Sequence, residues 1–225
     1  MIKKWEFYSS DEKLVDDICN RYNLNKVIGK IIVNRNVIKD EDVRIFINPT
    51  RDDFYDPFLF KEMDIAVERI IKAINNKEKI LIYGDYDVDG ITSTTVLKKY
   101  LLDRGIMVDT YIPNRLHEGY GLNKSAIEKI KEKGIDLIIT VDCGISAIDE
   151  IEYVKSLGMD IIVTDHHEVG EKLPNAIAVI DAKRKDNTYP FRSLAGVGVV
   201  FKLIQAISIK LDIKPEEYLK YLDLV

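Results

Sequence analysis

The sequence predicts an α/β fold: a parallel, doubly wound sheet of about five strands, flanked by helices and preceded by a small helical segment. Three observations predict it. Five apolar runs of strand length recur between positions 79 and 180, and the first four are separated by segments of helical period. The runs are nearly continuous in Ile, Leu and Val, without the polar alternation of a half-exposed sheet, so helices should cover both faces.

In chain order, the segment from Asp11 to about Ile47 is short and helical, with Leu14, Val15 and Ile18 at helical spacing. The stretch NPTRDDFYDP (48–57) gathers two prolines with acidic and basic residues, as a connection between packed units does. The expected division is therefore a helical lead-in over 1–56 and an α/β domain over 57–225. The strand runs are KILIY (79–83), MVDTYI (107–112), DLIITV (136–141), DIIVT (160–164) and AIAVI (176–180). Helical segments are expected near 91–103, 124–133 and 147–157, and two of them end in a glycine just before the next strand, Gly134 and Gly158. The last residues, YLDLV, lie inside a patterned apolar segment with no capping glycine and no polar tail, so a continuation into a second domain is expected.

Composition narrows the function classes. The chain has 225 residues and 46% hydrophobic content, enough for a packed interior. Its formal net charge is -5, so no global basic field draws it to nucleic acid, and a polyanionic substrate must be held by local cations or bound metals. Cys19 and Cys143 form no CxxC pair, which argues against a zinc knuckle or a disulfide framework and fits a reducing cytoplasm. The N-terminus has no apolar h-region, and no stretch approaches 18 uninterrupted apolar residues, so neither a signal peptide nor a membrane span is expected.

In open sheets of this kind ligands gather at the carboxyl ends of the strands. The residues there are acidic. GDYDVDG supplies Asp85, Asp87 and Asp89 after the first run, Asp142 follows the third, and Asp165, His166 and His167 follow the fourth. Five carboxylates packed so densely repel one another, and divalent cations relieve that cost most simply. Oxygen donors with a few imidazoles favour Mn²⁺ or Mg²⁺ over a thiolate-preferring metal. Two ions sharing a bridging aspartate suit an in-line phosphoryl displacement. A single aspartate after a strand is more often a helix N-cap, but three acidic strand ends together are not explained that way. An EF-hand would need Glu at the twelfth position of the loop, which is Val96, and a preceding helix rather than a strand. Cys143 has no positioned base and reads as a small packed residue rather than a nucleophile. Neither a G-x-S-x-G elbow nor a Walker-type phosphate loop is present.

Together, GDYDVDG, PNRLHEGYGL (113–122), VDCG (141–144), TDHH (164–167) and LAGVGVVFKL (194–203) resemble, in order and rough separation, the RecJ-like exonucleases of the DHH family, from about residue 45 onward. PNRLHEGYGL sets this resemblance apart from the family's pyrophosphatases and cyclic-dinucleotide phosphodiesterases. It implies two manganese or magnesium ions and 5′-to-3′ hydrolysis of single-stranded DNA in recombination and repair, with repair or replication proteins as possible partners. Carried onto this chain, it implies metal ligation by Asp87, Asp89, Asp142, His166 and Asp223, with Asp142 the bridge. His167 would sit beside the scissile phosphate, and Asp85 and Asp165 would complete or orient the ligand shell. The sequence departs from the wider family at Tyr83, where a histidine commonly stands four residues before the first aspartate of D-x-D; Asp85 is the residue that can compensate.

For the substrate, Arg115 offers a guanidinium for bidentate phosphate contact and His117 a weaker donor. Tyr120 can stack on a base, or pin a turn between its two flanking glycines. Gly196 and Gly198 open a helix whose backbone N–H groups could cradle a phosphate, tight helix-to-sheet packing being the alternative. Two other classes stay open: a phosphodiesterase or pyrophosphatase acting on small nucleotides, and a non-catalytic replication-associated DNA binder.

Overall fold

The computed structural model describes residues 4, 6, 8–114, 119 and 121–225. It comprises two compact units, residues 1–54 and 55–225.

The first unit holds three short helices, α1 (Glu12–Tyr22), α2 (Lys26–Asn34) and α3 (Asp40–Ile47). Two start at side-chain caps: Asp11 accepts the amides of Lys13 and Leu14, and Asn25 accepts that of Ile28. Ile18, Ile32 and Val43, one from each helix, form the centre of a small core.

The second unit is the α/β domain. It opens with α4 (Met63–Asn75), whose buried Met63, Ala66, Val67, Ile70 and Ala73 recur at helical spacing. Then follow β1 (Ile80–Gly84), α5 (Val88–Leu102), β2 (Val108–Tyr111), α6 (Lys124–Glu132), β3 (Leu137–Val141), α7 (Ile148–Ser156), β4 (Asp160–Asp165) and β5 (Ala178–Asp181). The chain ends with α8 (Gly196–Lys210) and α9 (Pro215–Leu219). All five strands are parallel, in the order β2-β1-β3-β4-β5. Helices α4, α5 and α8 pack together on the sheet, and α6 packs with α7. β1 and β3 are buried along their whole length, which is why neither shows polar alternation. The connection from β4 to β5 is made without a helix. Among the described residues no helix is long and apolar enough to cross a membrane.

This strand order decides where chemistry can sit. From β1 the chain crosses to β2 on one side, and from β2 it returns past β1 to β3 on the other. The chain leaves β1 toward β2 and leaves β3 toward β4, in opposite directions, so the switch point lies between the carboxyl ends of β1 and β3, the general binding position in such sheets. Asp85 and Asp142 immediately follow those two strands.

Candidate metal centre

The β1 end is shaped by backbone packing. Asp87 is the N-cap of α5, its Oδ1 accepting the Gly90 amide at 3.0 Å. This cap starts the helix at Val88, three residues before the expected start at Ile91. Gly90 lies against the backbone of Asp85 so closely that an added Cβ would fall 2.5 Å from the Asp85 carbonyl oxygen, which explains the glycine of DVDG. Asp85 is buried, with Oδ1 accepting the Tyr86 amide at 2.7 Å, and burial pushes its carboxyl above the ordinary range.

Asp142, just past β3, is 1% exposed and holds a left-handed backbone at φ +60°. Such a conformation costs a non-glycine residue on the order of 1 kcal/mol, and its appearance at a binding site is a recurring sign of imposed geometry. From the end of β4, His166 brings Nε2 to 3.1 Å from Asp142 Oδ1 and 3.4 Å from Asp89 Oδ2. These approaches lack hydrogen-bond geometry, so Asp142 Oδ1 is buried without a hydrogen-bond partner. Burial first, and then the charges of Asp89 and Asp87, push the Asp142 carboxyl up to about 8.

Asp165 is held differently. Its Oδ1 accepts the amides of His166 and His167 and contacts His167 Nδ1 at 2.7 Å, while Oδ2 accepts the Ile145 amide at 2.9 Å. Burial alone would raise this carboxyl, but the hydrogen bond with His167 and the Ile145 amide outweigh it and hold it low. In return the Asp165 hydrogen bond raises His167 to about 9, against the opposing effect of burial, so the imidazole is a cation near neutral pH.

Two sets of donors converge. Ligand atoms of Asp85, Asp87 and Asp142 lie within 4.8 Å of one another, and so do those of Asp142, His166 and His167. Asp142 belongs to both. A buried carboxylate shared by two sets of oxygen and imidazole donors, with one oxygen lacking a partner, fits hard or borderline divalent cations.

Several sequence expectations meet a different arrangement. Asp89 points its carboxylate at the N-terminus of α8, where Oδ2 accepts the Gly196 amide at 2.7 Å and Oδ1 the Val197 amide at 2.8 Å. The Gly196 amide, expected to cradle a phosphate, is therefore already engaged by a carboxylate. Gly196 and Gly198 are both buried, and a Cβ on Gly196 would fall 2.6 Å from Asp142 Oδ1. A Cβ on Gly198 would fall 3.1 Å from the Leu194 side chain, so both glycines sit in the tight packing expected as the alternative to phosphate binding. Asp223 is also not brought to the cluster. It lies in a single 3-10 turn (Leu222–Leu224) just past Tyr221, whose hydroxyl bonds Asp103 at the C-terminal end of α5. Asp87 and Asp89 are at the other end of that helix, roughly 20 Å away at 1.5 Å per residue. Arg115, His117 and Tyr120 lie outside the described residues. Cys143 is fully buried and its thiol is pushed well above its usual range by burial, so it is no nucleophile.

The sequence reasoning missed Asp181. It follows the AIAVI run and sits in register beside Asp165 at the end of β5. Oδ1 accepts the Lys183 amide at 2.7 Å, Oδ2 is buried without a partner, and burial pushes the carboxyl up to about 7. The signal was present: inspecting the residue after the fifth run, as after the others, finds it.

Comparison with known proteins accords with this geometry. A model of the DHH family, N-terminal domain, matches residues 79–225. The single-stranded-DNA-specific exonuclease RecJ of Bacillus subtilis is 46% identical over 204 residues, covering 91% of this chain and 26% of its own length. RecJ of Escherichia coli is 41% identical over 143 residues, covering 63% of this chain and 25% of its own. The chain thus spans about a quarter of the length of these relatives. Among solved structures, exonuclease RecJ bound to manganese superposes with a TM-score of 0.67 at 34% identity, over 73% of this chain and 41% of that one. RecJ in complex with Mn²⁺ from Thermus thermophilus superposes with a TM-score of 0.70 at 26% identity, over 95% of this chain and 29% of that one. With the family model covering well over half of its residues, the chain belongs to the DHH family, and within it is similar to the RecJ exonucleases.

Proposed function

We propose that this chain is the catalytic core of a metal-dependent exonuclease that hydrolyses phosphodiester bonds of single-stranded DNA, 5′ to 3′, in recombination and repair. The observation that carries this reading is Asp142: a buried carboxylate common to two donor sets, with one oxygen lacking a protein partner. Asp85, Asp87, Asp142 and His166 would hold Mn²⁺ or Mg²⁺, with Asp142 common to both donor sets, and Asp89 stands beside His166 to complete the set. When bound, the ions supply Lewis acidity toward the phosphoryl oxygens and acidify water for attack.

The chain's own residues divide the remaining work. Asp165 commits both carboxylate oxygens to the turn and to His167, so it orients that imidazole and keeps it charged. A cationic His167, with Nδ1 held by Asp165, is suited to hydrogen-bond a phosphate oxygen through Nε2. Arg115 and His117 would contact the DNA phosphate, and Tyr120 a base. With a net charge of -5, binding relies on the ions and these few contacts, which suits a flexible single strand better than a stiff duplex. A cytoplasmic setting among repair or replication proteins fits this substrate.

End-labelled single-stranded DNA and the same strand annealed to its complement, incubated with Mn²⁺ and followed on a denaturing gel, test the proposal. Digestion of the single strand alone, abolished by chelator, is expected. Equal digestion of the blunt duplex, or activity that survives chelation, would refute it.

A further inference from the structure

The connection from β5 to α8, residues 182–195, is fastened to the acidic cluster at both ends. At its start, Asp181 is the register partner of Asp165 and accepts the Lys183 amide at 2.7 Å. At its finish, Asp89 holds the Gly196 and Val197 amides. Between them, buried Tyr189 stacks on Phe60 with ring centroids 4.1 Å apart, and Thr188 donates its hydroxyl to the Leu59 carbonyl at 2.7 Å. The connection thus has a fixed course without helix or strand. It also concentrates cations, Lys183, Arg184, Lys185 and Arg192, in a chain whose net charge is -5. Arg184 is turned inward and engaged by Glu62 and Asp186. Lys183 instead reaches Glu168, the residue after His167, with Nζ at 3.0 Å, and its charge opposes the pull of Asp165 on the His167 imidazole. Arg192 is exposed and donates from Nη2 to the Lys183 carbonyl at 2.7 Å, and Phe191 beside it is 50% exposed. His167, Lys183 and Arg192 therefore follow one another in contiguous steps.

We propose that this connection is a binding surface for the substrate strand: Lys183 and Arg192 take phosphates beyond the one at His167, and Phe191 stacks on a base. This rests on the nuclease reading above for the place of the scissile phosphate. Single-strand sites combine cations that follow the backbone with aromatic faces on which bases stack, and residues close in sequence supply both here. Arg192 commits a donor to a carbonyl, and a guanidinium carries five, so its fork can serve a phosphate as well. Lys183 must exchange Glu168 for the strand. Glu168 is 87% exposed, and a pair with so exposed a carboxylate contributes little, so a polyanion that releases its counterions displaces it. Glu168 therefore works against binding. Because both ends of the connection are tied to the cluster, the surface is already in place when the strand arrives.

The test measures, by fluorescence anisotropy over a range of KCl, how the Mn²⁺-loaded chain binds a labelled oligothymidylate whose phosphorothioate linkages resist cleavage. Lys183→Gln combined with Arg192→Gln should weaken binding about thirtyfold and lower the slope of log affinity against log salt by about 1.4, roughly 0.7 for each phosphate contact. Phe191→Ala should weaken binding about tenfold and leave the slope as it was, since stacking releases no counterion. Glu168→Gln should tighten binding about threefold, a gain that loss of structure does not produce. Lys131→Gln combined with Lys155→Gln, exposed cations in the last turns of α6 and α7, removes the same charge and should change affinity by less than about twofold. Mn²⁺ affinity by calorimetry should stay within about twofold in every variant. An unchanged affinity or salt slope in the Lys183 and Arg192 variant would overturn the proposal, as would an equal loss in the Lys131 and Lys155 control. An ordinary strand that the parent binds but leaves uncut in Mn²⁺ would sink the nuclease reading instead, while the binding comparison still decides on the surface.

Discussion

The two ends of the sheet differ in how completely their acidic residues are satisfied by the protein. At the amino ends, Asp136 accepts the Lys79 amide at 2.8 Å, and Arg69 joins Asp160 and Glu78 through bonds of 2.6 Å each. At the carboxyl ends, Asp142 and Asp181 each bury an oxygen with no partner, and burial raises Asp85, Asp142 and Asp181 alike. At the amino ends Asp136, Asp160 and Glu78 are thus met by protein partners, whereas of Asp142, Asp165 and Asp181 at the carboxyl ends only Asp165 is met in this way, and Asp142 and Asp181 are left incomplete. Carboxylates that complete one another with arginine and backbone amides serve the fold, whereas carboxylates left facing one another need a cation from outside.

The largest effect that sharpens this contrast is expected at Asp142. Asp142→Asn keeps the shape but removes the charge common to both donor sets, and should cost more than about a hundredfold in Mn²⁺ affinity by calorimetry, since losing even a supporting group costs tens-fold. Because Asp142 is a destabilised carboxyl without metal, the metal-free mutant should melt no lower than the parent. At the opposite end, Arg69→Ala leaves two carboxylates without their guanidinium and should lower stability by about 2 kcal/mol, or roughly 4–8 °C in melting temperature. Its Mn²⁺ affinity should match the parent's. If Arg69→Ala weakened Mn²⁺ binding, or Asp142→Asn did not, the two ends would not differ in the way described.

A smaller effect is expected at Asp181. Its folded-state value, about 7, lies above the unfolded one near 4, so the folded state holds a proton more tightly and the chain loses stability as pH rises through that window. Asp181→Asn should therefore be neutral near pH 4 and stabilise the metal-free protein at pH 8 by about 1 kcal/mol, or 2–4 °C. Melts at the two pH values check this, and a gain at pH 4 as large as at pH 8 would count against a buried, strained carboxyl.

Much of this architecture was legible because buried parallel strands announce themselves as uninterrupted runs of Ile, Leu and Val, as in DLIITV and DIIVT. Asp85, Asp142 and Asp165 could be found by inspecting the residues just past each run, and stopping before the last run left Asp181 unnoticed. Other features depend on contacts far apart in sequence. Nothing local to LAGVGVV shows that Asp89, more than a hundred residues earlier, takes the first amides of α8. Asp223 was carried over by motif alone, and the length of α5 separates its turn from the cluster. Tyr83 could be noticed as a departure, but its bond to Gly121 could not be read from spacing.

Proton release on Mn²⁺ binding tests most directly that the carboxyl-end cluster is a metal centre. Asp142 carries a proton over most of the range below pH 8 and must lose it to become a ligand. Titrating the metal-free protein with Mn²⁺ at pH 7, in two buffers of different ionisation enthalpy, should show release of about one proton, diminishing toward pH 9. Affinity should fall by up to about tenfold for each pH unit below 8. The contrary results are the absence of a binding heat, or binding whose heat is the same in both buffers at pH 7.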